Sequence, residues 1–233
     1  MQGGDASERL RAVDALGFPE IGRSVEGRPI VAQRFGGAGA PLVRPLLIVG
    51  GIHGDEPASV DALLELAARL DAAPIPIWLL PAANPDGLMA GRKNSARDVD
   101  LNRNFPARNF TTTHAPGYFP GPGPLSEPET RAIAALIDRE PIRAAIAVHA
   151  PFACVNHDGP ADGWAAAVAA ACGWPARADI GYPTPGSFGS WLGVDRGLPV
   201  LTVELPPGPL AQFRAPAAAA LTAAIAHFRG SPG

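Results

Sequence analysis

The sequence predicts an α/β fold in which a largely parallel sheet is covered by helices on both faces. Short apolar runs, typical of buried strands, alternate along the chain with segments whose apolar residues recur at helical spacing. The chain has 233 residues, of which 47% are hydrophobic, enough to bury a full core. Because no internal repeat and no linker interrupts them, we expect a single domain over residues 1–233.

Elements of the first half follow from apolar periodicity and from clusters of turn residues. A strand over residues 46–49 leads into the segment 50–57 (GGIHGDEP), where a strand end turns into a helix start. Ligand sites of open α/β sheets are built at such turns. The other predicted elements are a loose or helical lead-in over 1–17, two short strands around a Glu-Gly turn over 21–31, a loop over 36–41, a helix over 59–70, a strand over 75–80 and a turn over 84–87.

The second half begins with residues 88–124, a long polar segment with little periodicity that we expect to be functional. A helix is predicted from Ser126, which caps it, with Glu129 three residues on as in a capping box. The remaining predicted elements are the end of that helix near residue 139, a strand over 144–148 that ends at His149, a helix over 161–172, a Gly-rich turn over 186–193, a strand over 198–203 that ends at Glu204 and a final helix over 211–229.

Composition and charge argue against several classes of function. A formal net charge of −3 gives no electrostatic reason to expect a nucleic-acid partner or an anionic membrane surface. No apolar run approaches the roughly 20 residues of a membrane helix, and the polar N-terminus lacks the pattern of a signal peptide. Cys154 and Cys172 are too few for a disulfide scaffold and are predicted to be core thiols. We therefore expect a soluble cytoplasmic protein, with no prediction of its oligomeric state.

Three predicted strands lead to an ionisable residue, namely His53, His149 and Glu204. The carboxyl ends of parallel strands gather at one edge of a sheet, so these side chains are expected to meet there. Two imidazoles and the carboxylate of Glu56 form a ligand set of catalytic zinc that leaves one position open for water. Each residue alone is more often a plain polar group, and their coincidence at strand ends favours the metal site. Glu204 is the candidate general base, since partial burial would raise its pKa.

Residues 97–106 (RDVDLNRNFP) form the next concentrated signal, and no amphipathic period explains them. Arg103 carries a planar guanidinium that suits bidentate binding of a carboxylate. Arg92 and Lys93 provide a second cationic position upstream. A solvated charged loop is the alternative that spacing alone leaves open.

Taken together and in order, these motifs resemble the zinc carboxypeptidase family of the carboxypeptidase A type. The resemblance covers residues from about 20 to about 210. Its main motifs are residues 53–56 (HGDE), 84–87 (NPDG) and 100–106 (DLNRNFP), followed by the distant His149 and the strand-end Glu204.

Two further motifs, residues 126–130 (SEPET) and 181–191 (GYPTPGSFGSW), are most similar to the murein peptide amidase branch of that family. That branch removes meso-diaminopimelate from γ-D-glutamyl peptides of the bacterial cell wall. The resemblance therefore implies a zinc metallocarboxypeptidase that hydrolyses a small muropeptide during recycling of cell-wall peptides.

The resemblance also implies a fold and a role for each matching residue. The fold is a mixed, mostly parallel eight-stranded sheet with helices on both faces, holding one Zn²⁺ per chain. The implied roles are zinc binding by His53, Glu56 and His149, oxyanion stabilisation by Arg92, binding of the substrate's terminal carboxylate by Asn102 and Arg103, closure over the substrate by Tyr182, proton transfer by Glu204, and a side-chain pocket wall formed by Phe188, Gly189 and Ser190.

The chain departs from the family's pattern at several positions. Digestive members carry an arginine where Asp55 stands, between the first two zinc ligands. An acid there either receives an amino group, as a diamino acid would supply, or caps the turn. Ala150 follows the third ligand, where the murein amidase branch has an aspartate. His114, His157 and Asp158 are predicted to be plain surface residues in loops.

Two other functions stand as alternatives. An acyl-amino-acid deacylase of the aspartoacylase or succinylglutamate desuccinylase type shares a His-Gly-x-Glu opening and an Asp-Leu-Asn-Arg segment. The segments 84–87 and 182–191 favour the peptidase over this deacylase. A non-catalytic binder of muropeptides would lack a zinc ligand or the base, and none of these residues is missing.

Overall fold

The computed structural model describes residues 5–36, 44–71 and 73–228. The predicted loop over 36–41 therefore lies, apart from Gly36, outside the described residues, as does the last residue of the predicted final helix. The α-helices are α1 Ala6–Ala15, α2 Pro57–Ala67, α3 Pro85–Ala90, α4 Pro128–Arg139, α5 Asp162–Cys172 and α6 Arg214–Ala226. The strands are β1 Glu20–Arg23, β2 Pro29–Val31, β3 Gln33–Phe35, β4 Leu46–Gly50, β5 Ile77–Leu80, β6 Ala144–His149, β7 Cys154–Asp158, β8 Ala176–Arg177 and β9 Val200–Glu204. Short 3-10 helices span Leu101–Arg103 and Leu210–Gln212, and a π-helical segment spans Ser190–Asp195.

Seven strands form the central sheet in the order β3-β5-β4-β6-β9-β7-β8. The four central strands β5, β4, β6 and β9 run parallel, whereas β3 is antiparallel to β5 and β7 is antiparallel to β9. The predicted mixed, mostly parallel sheet is confirmed. The expected number of eight strands is not reached, because the described residues contribute seven.

The two strands predicted over 21–31 exist, but they do not join the central sheet. β1 and β2 pair with each other as an antiparallel hairpin that packs against α4. Gly22 of β1 lies so close to Ala132 of α4 that a Cβ at residue 22 would come within 2.7 Å of the alanine Cβ. The hairpin therefore covers a helix instead of extending the edge of the sheet.

Helices cover both faces of the central sheet, as expected. Alternate residues of a strand point to opposite faces. Leu46 and Ile48 of β4 belong to the core shared with α2, α5 and α6, whereas Leu47 and Val49 belong to the core shared with α4. Because every residue of β4 is buried, its sequence is a continuous apolar run.

Two negative predictions concern membrane helices and disulfides. Among the described residues, no helix has the length and apolar character required to cross a membrane. Cys154 and Cys172 are both buried and free, which confirms the prediction of core thiols.

The turn predicted over 84–87 is the start of helix α3. Asn84 Oδ1 accepts a hydrogen bond from the Gly87 N–H at 2.8 Å, and Pro85 occupies the first helical position. The residue types that favour a turn also favour a helix start, so the pattern alone does not separate the two.

Helix α4 begins one residue later than the predicted capping box requires, because Glu127 and not Ser126 occupies the N-cap position. Pro128 takes the first turn of the helix, and Glu127 precedes it without a capping side chain. Ser126 Oγ instead donates to Glu127 Oε1 at 3.1 Å. Glu129 accepts a hydrogen bond from the Val25 N–H of the β1–β2 turn at 3.1 Å, so it binds the hairpin and not the helix terminus.

Strand β7 was not predicted from the sequence. In its sequence two apolar residues, Cys154 and Val155, are followed by three polar ones, which is neither an apolar run nor an alternating pattern, so only the pairing with β9 identifies the strand. The prediction that His157 and Asp158 lie in a loop is wrong, because both belong to β7.

Glu129 makes stability depend on pH. It is fully buried, its Oε2 has no hydrogen-bond partner within the described residues, and burial raises its pKa to about 7. Its ordinary pKa is 4.5, so the folded state holds this proton more tightly than the unfolded chain, and the free energy of unfolding falls as pH rises from 4.5 to 7.

We predict that Glu129→Gln raises the free energy of unfolding by about 1–3 kcal/mol at pH 8 relative to the parent protein. The gain should shrink at pH 5, where the buried carboxyl is protonated in the fold. Urea denaturation of both proteins at the two pH values measures the difference. An equal effect of the substitution at pH 5 and pH 8 would contradict this assignment.

Candidate metal centre and substrate cleft

The first candidate metal ligand lies on the turn that joins β4 to α2. Two glycines let this turn pack closely against the start of α3. Gly51 has a φ of +61°, and a Cβ at Gly54 would lie only 1.9 Å from the Gly87 carbonyl carbon. A side chain at either position would push the turn that carries His53 away from the sheet.

Strands β6 and β9 place two further groups beside this turn. Parallel pairing sets His149, the last residue of β6, opposite Glu204, the last residue of β9. Neighbouring strands lie roughly 4.8 Å apart, so the two side chains share a small volume at the sheet edge. Both residues are buried.

His53, Glu56 and His149 converge as the sequence predicts. His53 Nδ1 lies 2.7 Å from Glu56 Oε1, and His149 Nδ1 lies 2.9 Å from Glu56 Oε2. One ligand atom from each of the three residues lies within 4.8 Å of the others. Two imidazole nitrogens and a carboxylate at this spacing could together hold a metal ion.

Asp100 orients the first imidazole, a function to which the sequence analysis assigned no residue. His53 donates Nε2–H to Asp100 Oδ1 at 3.1 Å, and Lys93 Nζ donates to Asp100 Oδ2 at 2.6 Å. Asp100 Oδ1 also accepts the Asn102 N–H at 2.9 Å, so the aspartate caps the 3-10 helix Leu101–Arg103. Aspartate is a typical N-cap residue, so the position of Asp100 directly before Leu101 was the one sequence signal for this cap.

Carboxylates and imidazoles shift each other's pKa values in this group. Burial disfavours the charged form of His53, but the facing Glu56 and Asp100 outweigh burial and raise its pKa to about 9. Burial likewise disfavours ionised Glu56, yet His149 and His53 outweigh it and lower its pKa to about 2. His53 and Lys93 hold the pKa of Asp100 below its usual range against the effect of burial.

The donor chemistry of this group fits Zn²⁺. In a neutral His53 that donates Nε2–H to Asp100, the Nδ1 lone pair faces Glu56 and is available to a metal. Metal binding requires deprotonated imidazoles, so a bound cation would replace the protons that the carboxylates otherwise favour.

Glu204 lies beside the metal-ligand group in a desolvated position. Its Oε2 has no hydrogen-bond partner in the part of the chain that the structure describes. Burial raises the pKa of this carboxyl, and Glu56 adds to the shift while His149 opposes it. The environment is therefore the one predicted for a general base.

A cleft of about 480 Å³ opens from this group. Predicted substrate residues that line it are Asn102, Arg103, Tyr182, Phe188 and Gly189. Asn102 Oδ1 accepts the Phe188 N–H at 2.9 Å, and this bond ties the carboxylate-binding segment to the pocket wall.

Two predicted site residues lie outside the cleft lining. Ser190 is buried behind the wall, where its hydroxyl donates to the Thr184 carbonyl at 3.1 Å, and Ser187 lines the cleft instead. Arg92 is exposed, whereas the adjacent Lys93 lines the cleft. Consecutive side chains leave the chain in different directions, so the sequence did not show which of the two cations faces inward.

Aromatic rings surround the mouth of the cleft. Lys93 Nζ lies 3.6 Å from the centroid of the Tyr118 ring, and the Arg103 guanidinium carbon lies 5.3 Å from it. The exposed Tyr182 ring lies 6.2 Å from Tyr118 and 6.2 Å from Phe152. Tyr118 and Phe152 were missed by the sequence analysis, because nothing in their spacing distinguishes them from ordinary loop aromatics.

Comparison with known proteins identifies the family of this chain. Residues 14–157 match the family model described as zinc carboxypeptidase. The chain belongs to the zinc carboxypeptidase family. It is 34% identical over 205 residues to murein peptide amidase A of Escherichia coli (strain K12), an alignment that covers 82% of each chain. Murein peptide amidase A of Vibrio campbellii is 35% identical over 69% of each chain.

Solved structures share the fold of this zinc carboxypeptidase. The murein-tripeptide amidase MpaA from Escherichia coli O157 superposes with a TM-score of 0.73 at 31% identity, covering 93% of this chain and 94% of that one. Bovine thrombin-activatable fibrinolysis inhibitor superposes with a TM-score of 0.79 at 18% identity, with 97% of each chain covered. The second likeness concerns the fold alone.

Removing the Asp100 carboxylate should weaken metal binding. We predict that Asp100→Asn lowers zinc affinity by about 10- to 100-fold, because the amide no longer fixes the His53 tautomer or raises its basicity. Competition with a chromophoric chelator measures the affinity. Asp98→Asn, which changes an exposed aspartate two residues away, is the matched control. Equal zinc affinities of the two variants would rule out the orienting role.

Proposed function

We propose that this zinc carboxypeptidase hydrolyses the γ-D-glutamyl–meso-diaminopimelate bond of murein tripeptide in cytoplasmic recycling of cell-wall peptides. The observation that carries the proposal is the 34% identity to murein peptide amidase A over 82% of the chain, combined with a cleft that retains the predicted ligands and base. The free, buried thiols Cys154 and Cys172 fit a reducing compartment.

We propose His53, Glu56 and His149 as the ligands of one Zn²⁺ per chain. Zinc bound there would polarise the scissile carbonyl and lower the pKa of a bound water. Glu204 would accept the proton of the attacking water and pass it to the leaving amine. Its buried Oε2, which has no hydrogen-bond partner among the described residues, and the raised pKa of the carboxyl support that role, because Glu204 lines the cleft and holds a proton more readily than an exposed glutamate.

Asn102 and Arg103 are proposed to bind the terminal carboxylate of the substrate. Both line the cleft, and Arg103 is buried against the Tyr118 ring with its Nη1 donating to the Asn102 carbonyl at 2.6 Å. A guanidinium fixed in this way has little rotamer freedom left to lose on binding. The requirement for a free carboxylate would make the enzyme an exopeptidase.

Tyr182 is proposed to close over the bound peptide at the mouth of the cleft. Although the ring is exposed at the cleft mouth, partial desolvation raises the pKa of its phenol, so the hydroxyl stays protonated and able to donate a hydrogen bond. Phe188 and Gly189 would form the wall of the side-chain pocket, with Ser190 supporting that wall from behind.

Mass spectrometry of reaction products tests the function. The zinc-loaded protein, incubated with L-Ala-γ-D-Glu-meso-diaminopimelate, should release free diaminopimelate, and a chelator should abolish the release. Acyl-aspartate and α-linked peptides complete the panel. Cleavage of acyl-aspartate without cleavage of the tripeptide would replace the proposal with the deacylase alternative.

Glu204→Gln should lower kcat by about 10²–10⁴-fold while leaving zinc content unchanged, because it removes the proton acceptor and no ligand. Glu8→Gln, an exposed change on α1, is the control and should retain parent turnover. Full turnover by Glu204→Gln would refute the base assignment.

The oxyanion role is assigned to Arg92 by family resemblance, although Lys93 is the cation that lines the cleft. We predict that Arg92→Ala lowers kcat by about 10²–10³-fold with little change in KM, as loss of a transition-state donor does. Lys93→Ala is the matched comparison. A kcat loss confined to Lys93→Ala would transfer the role to the lysine.

A further inference from the structure

We propose that Asp158 on β7 binds the ammonium group at the far end of the substrate's C-terminal side chain. This inference rests on the proposed function and names the residue that would select a side chain bearing an amine. Asp158 lines the cleft, although its sequence context had predicted a plain surface residue.

The ladder between β7 and β9 places Asp158 at a defined distance from the reacting groups. In the antiparallel register Cys154 pairs with Glu204, Asn156 with Thr202, and Asp158 with Val200. Residues two apart on a strand share a face, so Glu204, Thr202, Asn156 and Asp158 all face the same side of the sheet.

Four residues of strand separate Asp158 from the residue opposite the base. At about 3.3 Å per residue this spacing is roughly 13 Å between Cα atoms. The distance between the Asp158 and Glu204 carboxylates is shorter where both side chains extend toward the bound substrate. In an extended side chain with four carbons before its amine, the nitrogen is five bonds from Cα and lies roughly 6 Å from it, because each bond of about 1.5 Å advances the chain by only about 1.25 Å. The terminal amine of a long diamino acid, and not that of a short one, therefore suits this separation.

Within the described ranges the partly buried Asp158 carboxylate has no partner. No side chain or backbone group there donates a hydrogen bond to it, and no cation there forms an ion pair with it. Burial raises the pKa of this carboxyl, and the neighbouring His157 opposes the shift. A cationic ligand stabilises a desolvated carboxylate in a ligand cleft more than a neutral ligand does, because it offsets the cost of removing the charge from water.

Two glycines make room for this carboxylate. A Cβ at Gly189 would lie 2.1 Å from Asp158 Oδ2, and a Cβ at Gly193 would lie 2.5 Å from Asp158 Cβ. The pocket wall is therefore shaped around the aspartate side chain, and any larger residue at 189 would displace the carboxylate.

Neighbouring acceptors complete a site for an ammonium group, which has three donors. Asn156 donates its amide Nδ2 to the Arg177 carbonyl at 3.0 Å, which leaves its amide oxygen for a ligand in the cleft it lines. Thr202, its ladder partner, lines the same cleft with a hydroxyl. Of the other acids that line the cleft, Glu56 and Glu204 have proposed roles in zinc binding and proton transfer. Asp55 is exposed at the rim, where water competes for its charge.

The test compares two peptides that differ by one amine. They are γ-D-Glu-meso-diaminopimelate and γ-D-Glu-2-aminopimelate, whose side chain has hydrogen in place of the distal amine. We expect the parent enzyme to favour the first by about 10- to 100-fold in kcat/KM, the value of a charge-assisted hydrogen bond.

Asp158→Asn should bring this ratio close to one while zinc content and the rate on the 2-aminopimelate peptide persist. Gly189→Ala, which displaces the carboxylate without removing it, should lower the ratio independently. Asp55→Asn is the matched control and should leave the ratio unchanged.

The outcomes separate this inference from the proposed function. Equal cleavage of both peptides by the parent enzyme, or an unchanged preference in Asp158→Asn and Gly189→Ala, overturns the role of Asp158 and leaves the hydrolysis standing. Loss of the preference in Asp55→Asn alone moves the amine site to the rim. Cleavage of neither peptide by the parent enzyme overturns the proposed function, and the assignment of Asp158 falls with it.

Discussion

The parallel pairing of β6 with β9 is the constraint on which the rest of the site depends. It sets His149 directly opposite Glu204 at the carboxyl edge of the sheet. A shift of one residue in this register would turn one of the two side chains to the opposite face, so the candidate ligand and the candidate base would no longer meet. The register is held by burial of all of β6, and of every residue of β9 except the partly buried Thr202, between the helical layers.

One short segment joins the metal centre to the substrate cleft and to the core. In residues 100–106, the Asp100 carboxylate accepts a hydrogen bond from His53, and the Asn102 side chain accepts one from the backbone of Phe188 in the pocket wall. Arg103 lines the cleft. Asn104 then ties the long loop to α4 through hydrogen bonds to Pro120, Gly123 and Thr130, and Phe105 stacks on Trp191 beneath the pocket. Five residues with different contacts lie within residues 100–105, which explains why no amphipathic period appears there.

Much of this arrangement follows from the sequence, for physical reasons that differ by element. The strands that carry His149 and Glu204 are apolar runs because both faces of the sheet are covered, and such runs are recognisable without a structure. Strand β7 is not recognisable, since its polar residues face a cleft and its pairing with β9 is a tertiary contact. Asp158 was missed for that reason. The inward position of Lys93 in place of Arg92 also depends on the packing of the turn after α3, which spacing does not encode.

His53 and Glu56 of the β4–α2 turn and His149 at the end of β6 are proposed to form one metal centre. X-ray absorption at the zinc edge, with metal content measured on the same sample, tests this arrangement. We expect one Zn²⁺ per chain with two imidazole nitrogens at about 2.0–2.1 Å and a carboxylate oxygen at about 2.0–2.2 Å. His149→Ala should remove one of the two nitrogens. A zinc shell that is unchanged in that variant, or that contains sulfur, would show that these three residues are not the zinc ligands.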